Sequence, residues 1–203
     1  MKKINLILVI YLFFCSCKEI KKPDNVTNDV AAISISKPIY CDTIKNSIGV
    51  IYINNENFKK GEQITILNED RSKFKDWGAT EEYQILTFKC YSSKDNLYSI
   101  LFDDEIKFIK KEDDKIEFLS WEEHILKNVF SVGFDFSENP IRESINGKSL
   151  ISKKSNNYRI SVVQIEKEWM KVKYQNYNDE STTEGWIKWR DEECLFIELF
   201  YFA

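Results

Sequence analysis

Residues 168–189 read EWMKVKYQNYNDESTTEGWIKW, and apolar side chains alternate with polar ones near both ends of this stretch. Alternation with a period of two is typical of β-strands that are buried on one face. The side chains expected to face a core are those of Met170, Val172, Tyr174, Ile187 and Trp189. The opposite face then carries two tryptophans among lysines, and we call its four residues Trp169, Lys171, Trp186 and Lys188 the Trp–Lys face. The stretch therefore predicts two strands with one buried side.

Short segments rich in β-branched and aromatic residues occur on both sides of this stretch and are separated by polar clusters. In the first half we predict strands at residues 48–53, 63–67, 83–90, 97–102 and 106–109. In the second half we predict them at 159–166, 169–174, 186–189 and 194–202. Residues 120–126 interrupt the series as a short helix. The chain is thus predicted to be mainly β, with one helix between two groups of strands.

The predicted helix begins after Ser120, whose side chain can act as the N-cap, and acidic residues occupy its first turn. Trp121, Ile125 and Leu126 are expected to share its apolar face. His124 is the only histidine in the chain. Because no nucleophile motif accompanies it, we expect an exposed helical histidine and not a catalytic one.

The predicted strand at 194–202 is apolar on both of its faces. One side consists of Leu195, Ile197, Leu199 and Tyr201, and the other of Cys194, Phe196, Phe200 and Phe202. A strand that is apolar on both faces is normally covered on both faces. We therefore expect one side to fill a core and the other to pack against the first half of the chain, or against a second copy in a homodimer.

The first seventeen residues combine a basic start, an apolar segment and a cysteine at the end. Lys2 and Lys3 precede an apolar segment, residues 4–14, that is too short to span a bilayer of about 30 Å as a helix. Ser16 directly before Cys17 resembles the lipobox that ends the signal peptide of bacterial lipoproteins, in which the cysteine is acylated. The resemblance implies export, palmitate-type acylation of Cys17 and anchoring to a bacterial membrane, periplasmic or surface-exposed. An ordinary secretory peptide, cleaved without lipidation, is the alternative.

Four short elements of the second half follow one another in a defined order. They are Asn139-Pro140-Ile141-Arg142, the turn Asn146-Gly147, Glu168-Trp169-Met170-Lys171-Val172 and Gly185-Trp186-Ile187. In order they match the pattern N-x-R, a turn, W-x-K-V and G-W-I/V within residues 137–190, which resembles bacterial SH3-like (Src-homology-3-type) domains. The resemblance implies a small β-barrel, which also suits short strands because closure leaves few open edges. The first half is either a diverged copy of this barrel or an unrelated small β domain.

These features predict five consecutive regions in the chain. They are a signal peptide with its lipobox at 1–17, a flexible tether at 18–32, an N-terminal β domain at 33–119, a linker helix and connection at 120–136, and an SH3-like β-barrel at 137–203. The tether is assigned because its sequence is polar and has no periodicity.

Five cysteines bear on the redox state and on metal binding. When Cys17 is acylated and the cysteine before it is removed with the signal, three remain in an oxidising compartment. We predict a disulfide between Cys41 and Cys90, which lie in the same half of the chain, and expect Cys194 to be buried. Three separate buried thiols are the alternative, because sequence alone does not supply the geometry of a bridge. The cysteine spacings fit no zinc pattern.

Composition and charge argue against several classes of function. The chain has 203 residues, with 29 Lys and Arg against 33 Asp and Glu, and a formal net charge of −4. Because these charges are interspersed, we expect no basic face for nucleic acid. The acidic runs at 103–105, 112–114 and 191–193 are expected in exposed turns, not opposed across a sugar-binding cleft. The first two also lack the spacing of a calcium loop. We predict no catalytic residue, no metal and no cofactor.

The Trp–Lys face is the predicted ligand site. Indole rings beside basic groups can stack on sugar rings or hold extended peptides. Alternatively, the two tryptophans cover the barrel or a domain interface. The SH3-like resemblance implies a non-catalytic binding module of the cell envelope, with peptidoglycan or a peptide or protein as its ligand. The alternative function is a periplasmic inhibitor or immunity-type lipoprotein, whose acidic surface blocks a hydrolase or toxin.

Overall fold

The computed structural model describes residues 40–53, 61–78 and 87–202. The described residues of the first half form β1 (Asp42–Thr43), β2 (Gly49–Ile53), β3 (Gln63–Leu67), β4 (Lys73–Gly78), β5 (Thr87–Lys94), β6 (Leu97–Phe102), β7 (Glu105–Lys110) and β8 (Ile116–Leu119). They are followed by α1 (Trp121–Asn128), β9 (Ser131–Gly133), β10 (Ile141–Arg142), β11 (Ser149–Ile151), β12 (Tyr158–Glu166), β13 (Trp169–Asn176), β14 (Thr182–Lys188), β15 (Cys194–Leu195) and β16 (Glu198–Phe200). The prediction of a mainly-β chain with one helix is confirmed for this part of the chain. The predicted signal peptide, Cys17 and the tether lie outside it.

The strands of the first half form an antiparallel sheet of seven, in the order β4-β3-β7-β6-β5-β2-β8. Alternation decides which side is buried: in β3, Ile64 and Ile66 are buried whereas Thr65 between them is exposed. Asp103 and Asp104 join β6 to β7 with positive φ angles of 50° and 63°, as a two-residue type I′ hairpin turn requires. The core of this sheet consists of Ile51, Ile53, Ile64, Ile66, Cys90, Ile100, Phe102 and Ile109.

The strands of the second half form an antiparallel sheet of five, in the order β11-β10-β14-β13-β12. β12, β13 and β14 follow one another as a meander, and β10 lies beside β14 with Arg142 opposite Trp186. The Asn146-Gly147 turn lies between β10 and β11, which pair with each other. One sheet therefore contains all the elements that carry the SH3-like resemblance.

The core beneath the five-stranded sheet draws on both halves of the described chain. Its fully buried members are Ile44, Val50, Trp121, Ile125, Val132, Phe136, Ile141, Ile160, Met170, Val172, Tyr174, Ile187, Trp189, Leu195 and Ile197. Ile44 and Val50 come from the first half, so this core crosses the predicted domain boundary. The described residues belong to one compact unit. The predicted arrangement of two domains joined by a helix is therefore not confirmed.

None of the sheets formed by the described residues closes into a barrel, so the predicted closed SH3-like barrel is not confirmed. At the β12 edge a side chain takes the place of a neighbouring strand. The hydroxyl of Ser131 in β9 donates to the carbonyl oxygen of Ile160 at 2.8 Å and accepts from the Ile160 N–H at 3.4 Å. A hydroxyl can satisfy both groups of one residue, so this position is covered without strand pairing.

The predicted strand at 194–202 is two short strands in the structure, which corrects the prediction. β15 pairs with β1, and β16 pairs with β9. Between them Phe196 and Ile197 are buried, and the Phe196 N–H donates to the carbonyl oxygen of Trp189 at 2.8 Å. The segment is apolar on both sides because it changes its pairing partner inside the core. A homodimer through this segment stays a prediction.

The N-terminus of α1 agrees with the prediction, but its buried face does not. Ser120 Oγ accepts from the Glu123 N–H at 3.2 Å, and the Glu123 carboxylate accepts from the Ser120 N–H at 2.9 Å, which is a capping box. Trp121 and His124 are buried, whereas Leu126 is 52% exposed. The predictions that Leu126 shares the apolar face and that His124 is exposed are wrong. Residues three and four positions apart lie on the same face of a helix, so His124 and Ile125 share the face of Trp121. Leu126 is five positions away and therefore points elsewhere.

The disulfide joins Cys41 to Cys194, so the predicted Cys41–Cys90 bridge is wrong. The antiparallel pairing of β1 with β15 places Thr43 opposite Cys194, and the Cα atoms of the two bridged cysteines are 5.1 Å apart. Cys90 lies in β5 opposite Gly49, where its side chain belongs to the core of the seven-stranded sheet. It carries a free, buried thiol.

Candidate functional site

The Trp–Lys face lies on the outward side of the five-stranded sheet. Lys171 of β13 is opposite Trp186 of β14, and Trp169 is opposite Lys188. Met170 between them is completely buried, so the side chains on either side of it point away from the core. Residues opposite each other on antiparallel strands have Cβ atoms about 4.5–5.5 Å apart. The structure therefore brings all four predicted site residues together, with indoles and ammonium groups alternating in one patch.

The tryptophans of this face differ from the other three in the chain. Trp77 packs edge-to-face on Phe88, Trp121 donates its indole N–H to Ser47 Oγ at 3.2 Å, and Trp189 donates to the carbonyl oxygen of Lys167 at 2.9 Å. Within residues 40–53, 61–78 and 87–202, no ring pair, cation–π contact or side-chain hydrogen bond involves Trp169 or Trp186. Both are half-buried. Each tryptophan therefore keeps some surface that a ligand can contact.

The two lysines of the face are held by exposed glutamates. Lys171 lies 2.8 Å from a carboxylate oxygen of Glu184, and Lys188 lies 3.1 Å from one of Glu168. The hydrogen bond from Lys171 lowers the pKa of Glu184. Both glutamate side chains are 46% exposed, and ion pairs of this kind contribute only about 0–1 kcal/mol. The carboxylate of a ligand can therefore replace either glutamate at small cost.

Two further cations extend the face. Arg142 of β10 is opposite Trp186, and Lys173 lies two residues after Lys171 on β13. Arg142 donates from Nη1 to the carbonyl oxygen of Gly147 at 3.3 Å, while its Nε is buried without a hydrogen-bond partner among the described residues. Neither Arg142 nor Lys173 lies within ion-pair distance of a described carboxylate, although Lys173 is opposite Glu184 and helps to lower the pKa of that carboxyl. The local excess of positive charge favours an anionic ligand.

His124 is part of the packing between α1 and the C-terminal segment. It is fully buried, and its Nε2 lies 2.9 Å from the hydroxyl of Tyr201. Asn128 approaches Nδ1 at 3.4 Å. Burial lowers the pKa of His124 to about 4 and raises that of Tyr201 to about 12, so both side chains are neutral at pH 7. The pair therefore forms a neutral internal hydrogen bond.

The chemistry of the remaining thiol follows from its position. Burial raises the pKa of Cys90 to about 11, so at neutral pH it is almost entirely the protonated form, which is a poor nucleophile and a poor metal ligand. In the part of the chain that the structure describes, no group of three or more His, Cys, Asp or Glu side chains could hold a metal ion.

The sequence did not predict two aromatic clefts beside β9 and β16. One has a volume of about 640 Å³ and the other about 440 Å³, and Tyr158 and Phe200 line both. The signal was present in the sequence, because residues 130–136 read FSVGFDF, with apolar side chains at every second position. The segment lies within the predicted connection at 120–136, for which no strand is expected.

No helix within the described ranges is long and apolar enough to cross a membrane. Comparison of the chain with protein-family models, with curated proteins and with solved structures finds no match. The function is therefore argued from the residues and geometry of this chain.

Proposed function

We propose that this chain is a non-catalytic lipoprotein of the bacterial cell envelope that binds peptidoglycan through the Trp–Lys face. The observation that carries the proposal is the cross-strand alternation of two lysines with two indoles that have no ring, cation–π or hydrogen-bond partner among the described residues. Peptidoglycan offers sugar rings, which stack on indoles, and carboxylates, which pair with ammonium groups. A single patch of this kind can engage both groups at once.

The strand arrangement supports an SH3-like identity for the five-stranded sheet. Arg142 of the N-x-R element is opposite Trp186 of the G-W-I element, and the W-x-K-V strand lies on the other side of β14. Motifs separated by more than forty residues thus meet in one sheet. The same resemblance implies cell-wall or peptide ligands, which agrees with the chemistry of the face.

The lipid anchor is a separate part of the proposal and has a separate test. Cells are labelled with a clickable fatty acid, and the wild type is compared with Cys17→Ser. We expect the label to be lost in Cys17→Ser and retained in Cys15→Ser, which is the matched control two residues away. Label retained in Cys17→Ser would mean that the anchor is elsewhere or absent.

Binding is tested by co-sedimentation of the full-length protein, solubilised in detergent, with insoluble peptidoglycan. We expect the double variant Trp169→Ala/Trp186→Ala to lose at least tenfold in affinity, because the stacking surface is removed. The double Trp→Phe variant should keep part of the affinity, since a ring remains. Lys110→Glu, at an exposed position of the seven-stranded sheet, is the charge control and should bind normally.

Three outcomes of that experiment count against the proposal. If the double alanine variant binds peptidoglycan with wild-type affinity, the Trp–Lys face is not the binding site. Loss of binding in Lys110→Glu equal to that of the face variants indicates a general charge effect. Failure to sediment with peptidoglycan, together with capture of one purified hydrolase or toxin, favours the inhibitor alternative.

A further inference from the structure

The five-stranded sheet carries another cation at the far end of its outward side. Arg159 of β12 is opposite Gln175 of β13. Gln175, Lys173 and Lys171 occupy alternate positions of β13, so Arg159 shares the outward side with the Trp–Lys face. Four residues along β13 and two strand spacings across the sheet separate Arg159 from Trp186 by roughly 16 Å.

The guanidinium of Arg159 stacks on an aromatic ring and has no ion-pair partner among the described residues. Its guanidinium carbon lies 3.8 Å from the centroid of the Phe130 ring. Its Nε is buried and has no hydrogen-bond partner, and no described residue forms an ion pair with it. Stacking on a ring holds the plane of the guanidinium and leaves the donors at its edge available. No described residue accepts a hydrogen bond from the two Nη nitrogens of Arg159, so these donors are available to a ligand.

The cleft around Arg159 is lined by large aromatic side chains. It has a volume of about 440 Å³, and its walls include Phe130, Tyr158, Tyr177, Phe200 and Phe202. Tyr177 and Phe200 are each 45% exposed, and Phe202 is 60% exposed. Exposed rings grouped around one convergent polar group are typical of a binding site for a ligand that is apolar with one charged end.

We propose that this cleft binds the terminal carboxylate of a short peptide, with an apolar side chain of that peptide against the exposed rings. A carboxylate matches the planar donors of arginine and can accept two hydrogen bonds from it. The inference rests on the proposed function, since a cell-wall peptide would reach this cleft while its sugar occupies the Trp–Lys face. An extended peptide of about five residues spans roughly 17 Å, close to the separation of the two sites.

The test uses a ligand without sugar, so that it does not depend on the Trp–Lys face. The full-length protein in detergent is titrated with N-acetyl-Ala-Ala and with the same dipeptide ending in a carboxamide, and binding is followed by ligand-observed NMR. We expect the free acid to bind at least tenfold more tightly than the amide. Arg159→Gln should remove this preference, and Arg159→Lys should keep part of it. Arg71→Gln, in an exposed turn of the seven-stranded sheet, is the matched control.

Equal affinity for the acid and the amide overturns the inference, and so does the absence of binding by either. A full preference for the acid in a folded Arg159→Gln protein overturns it as well, with the near-ultraviolet circular dichroism spectrum as the check on folding. If the acid is preferred through Arg159 while the protein does not sediment with peptidoglycan, the carboxylate site stands and the proposed function fails. If the protein sediments with peptidoglycan but shows no preference for the acid through Arg159, the carboxylate site fails and the proposed function stands.

Discussion

The two large sheets use aromatic rings and lysines in different ways. In the seven-stranded sheet the rings of Phe74, Trp77, Phe88 and Phe102 contact one another at centroid distances of 5.1–6.4 Å. Lys75 lies 4.4 Å from the Phe102 centroid, and Lys107 lies 4.1 Å from that of Phe74. In the five-stranded sheet Trp169 and Trp186 have no ring or cation–π partner within the described residues. The lysines beside them pair with glutamates, as Lys75 pairs with Asp103, so the contrast lies in the rings. Aromatic surface without an internal partner, and not residue type alone, distinguishes the candidate site.

The largest expected effect tests whether the two halves unfold together. The Cys41–Cys194 disulfide spans 153 residues of sequence, for which the chain-entropy model gives about 5 kcal/mol at 25 °C. We expect Cys194→Ser to lower the free energy of unfolding by up to this amount, in one transition, because Ile44 and Val50 belong to the core beneath the five-stranded sheet. Urea denaturation followed by circular dichroism measures it.

Reducing agent supplies the control for this prediction. It should destabilise the wild type and Cys90→Ala alike, and it should have no effect on Cys194→Ser. If reducing agent no longer destabilised Cys90→Ala, the disulfide would have to involve Cys90, as the Cys41–Cys90 prediction requires. Two separate transitions in the wild type would mean that the halves are independent.

A second prediction separates the structural tryptophans from those of the candidate site. Trp189 is completely buried, and its replacement by alanine should cost about 3–5 kcal/mol of unfolding free energy. Trp186 lies three residues earlier and is half-buried on the outward side, so Trp186→Ala should cost about 1 kcal/mol. Urea denaturation of the two variants, with peptidoglycan binding of each folded protein, makes the comparison. If both variants lose the same free energy of unfolding, Trp186 stabilises the fold as Trp189 does, and the proposed site is weakened.

A third prediction concerns pH at the place where α1 meets both halves of the chain. His124 bonds to Tyr201, and its ring centroid is 6.0 Å from that of Tyr52 in β2. Burial lowers the pKa of His124 to about 4, against about 6.5 in an unfolded chain, so between these values the unfolded state holds the extra proton. The free energy of unfolding should therefore be unaffected above pH 6.5 and fall by about 3 kcal/mol as the pH drops to 4.

The measurement is urea denaturation at pH values from 4 to 7.5, with His124→Gln beside the wild type. Carboxylates with lowered pKa, such as Asp135, also lose stabilising interactions toward low pH, but they do so in both proteins. The difference between the two curves therefore isolates the histidine. Parallel curves would show that His124 is protonated as readily in the folded state as in the unfolded one.

Short-range patterns predicted the elements that short-range forces determine. The strands at 63–67 and 97–102 have the predicted ends, and Ser120 caps α1 as expected, because alternation and capping depend on neighbouring residues. The bridge from Cys41 to Cys194 was not predicted, since it depends on the pairing of β1 with β15 far along the chain. The order of the motifs predicted a closed barrel, which is not confirmed. Motif order does not determine how the edge of a sheet is covered.

The same division holds for the candidate site. Alternation placed Trp169 and Lys171 on one side of a strand, but only the register of β13 with β14 makes Lys171 the neighbour of Trp186. No pattern in the sequence singles out Arg159, because its position relative to β13 depends on strand pairing that includes a bulge between Val162 and Gln164. Register and bulges are set by tertiary contacts, so a single sequence does not determine them.

The smallest expected effect compares one lysine from each sheet. Lys75 lies over the Phe102 ring and pairs with Asp103 at 3.2 Å, whereas Lys173 is exposed and forms no ion pair with a described residue. In 0.5 M salt, which screens the ion pair, Lys75→Met should cost about 0.5–1 kcal/mol, the usual value of an exposed cation–π contact. Lys173→Met should change stability by less than about 0.5 kcal/mol and should instead weaken peptidoglycan binding. If Lys173→Met destabilises the fold as much as Lys75→Met does, the lysines of both sheets are structural, and the proposed contrast between the sheets is lost.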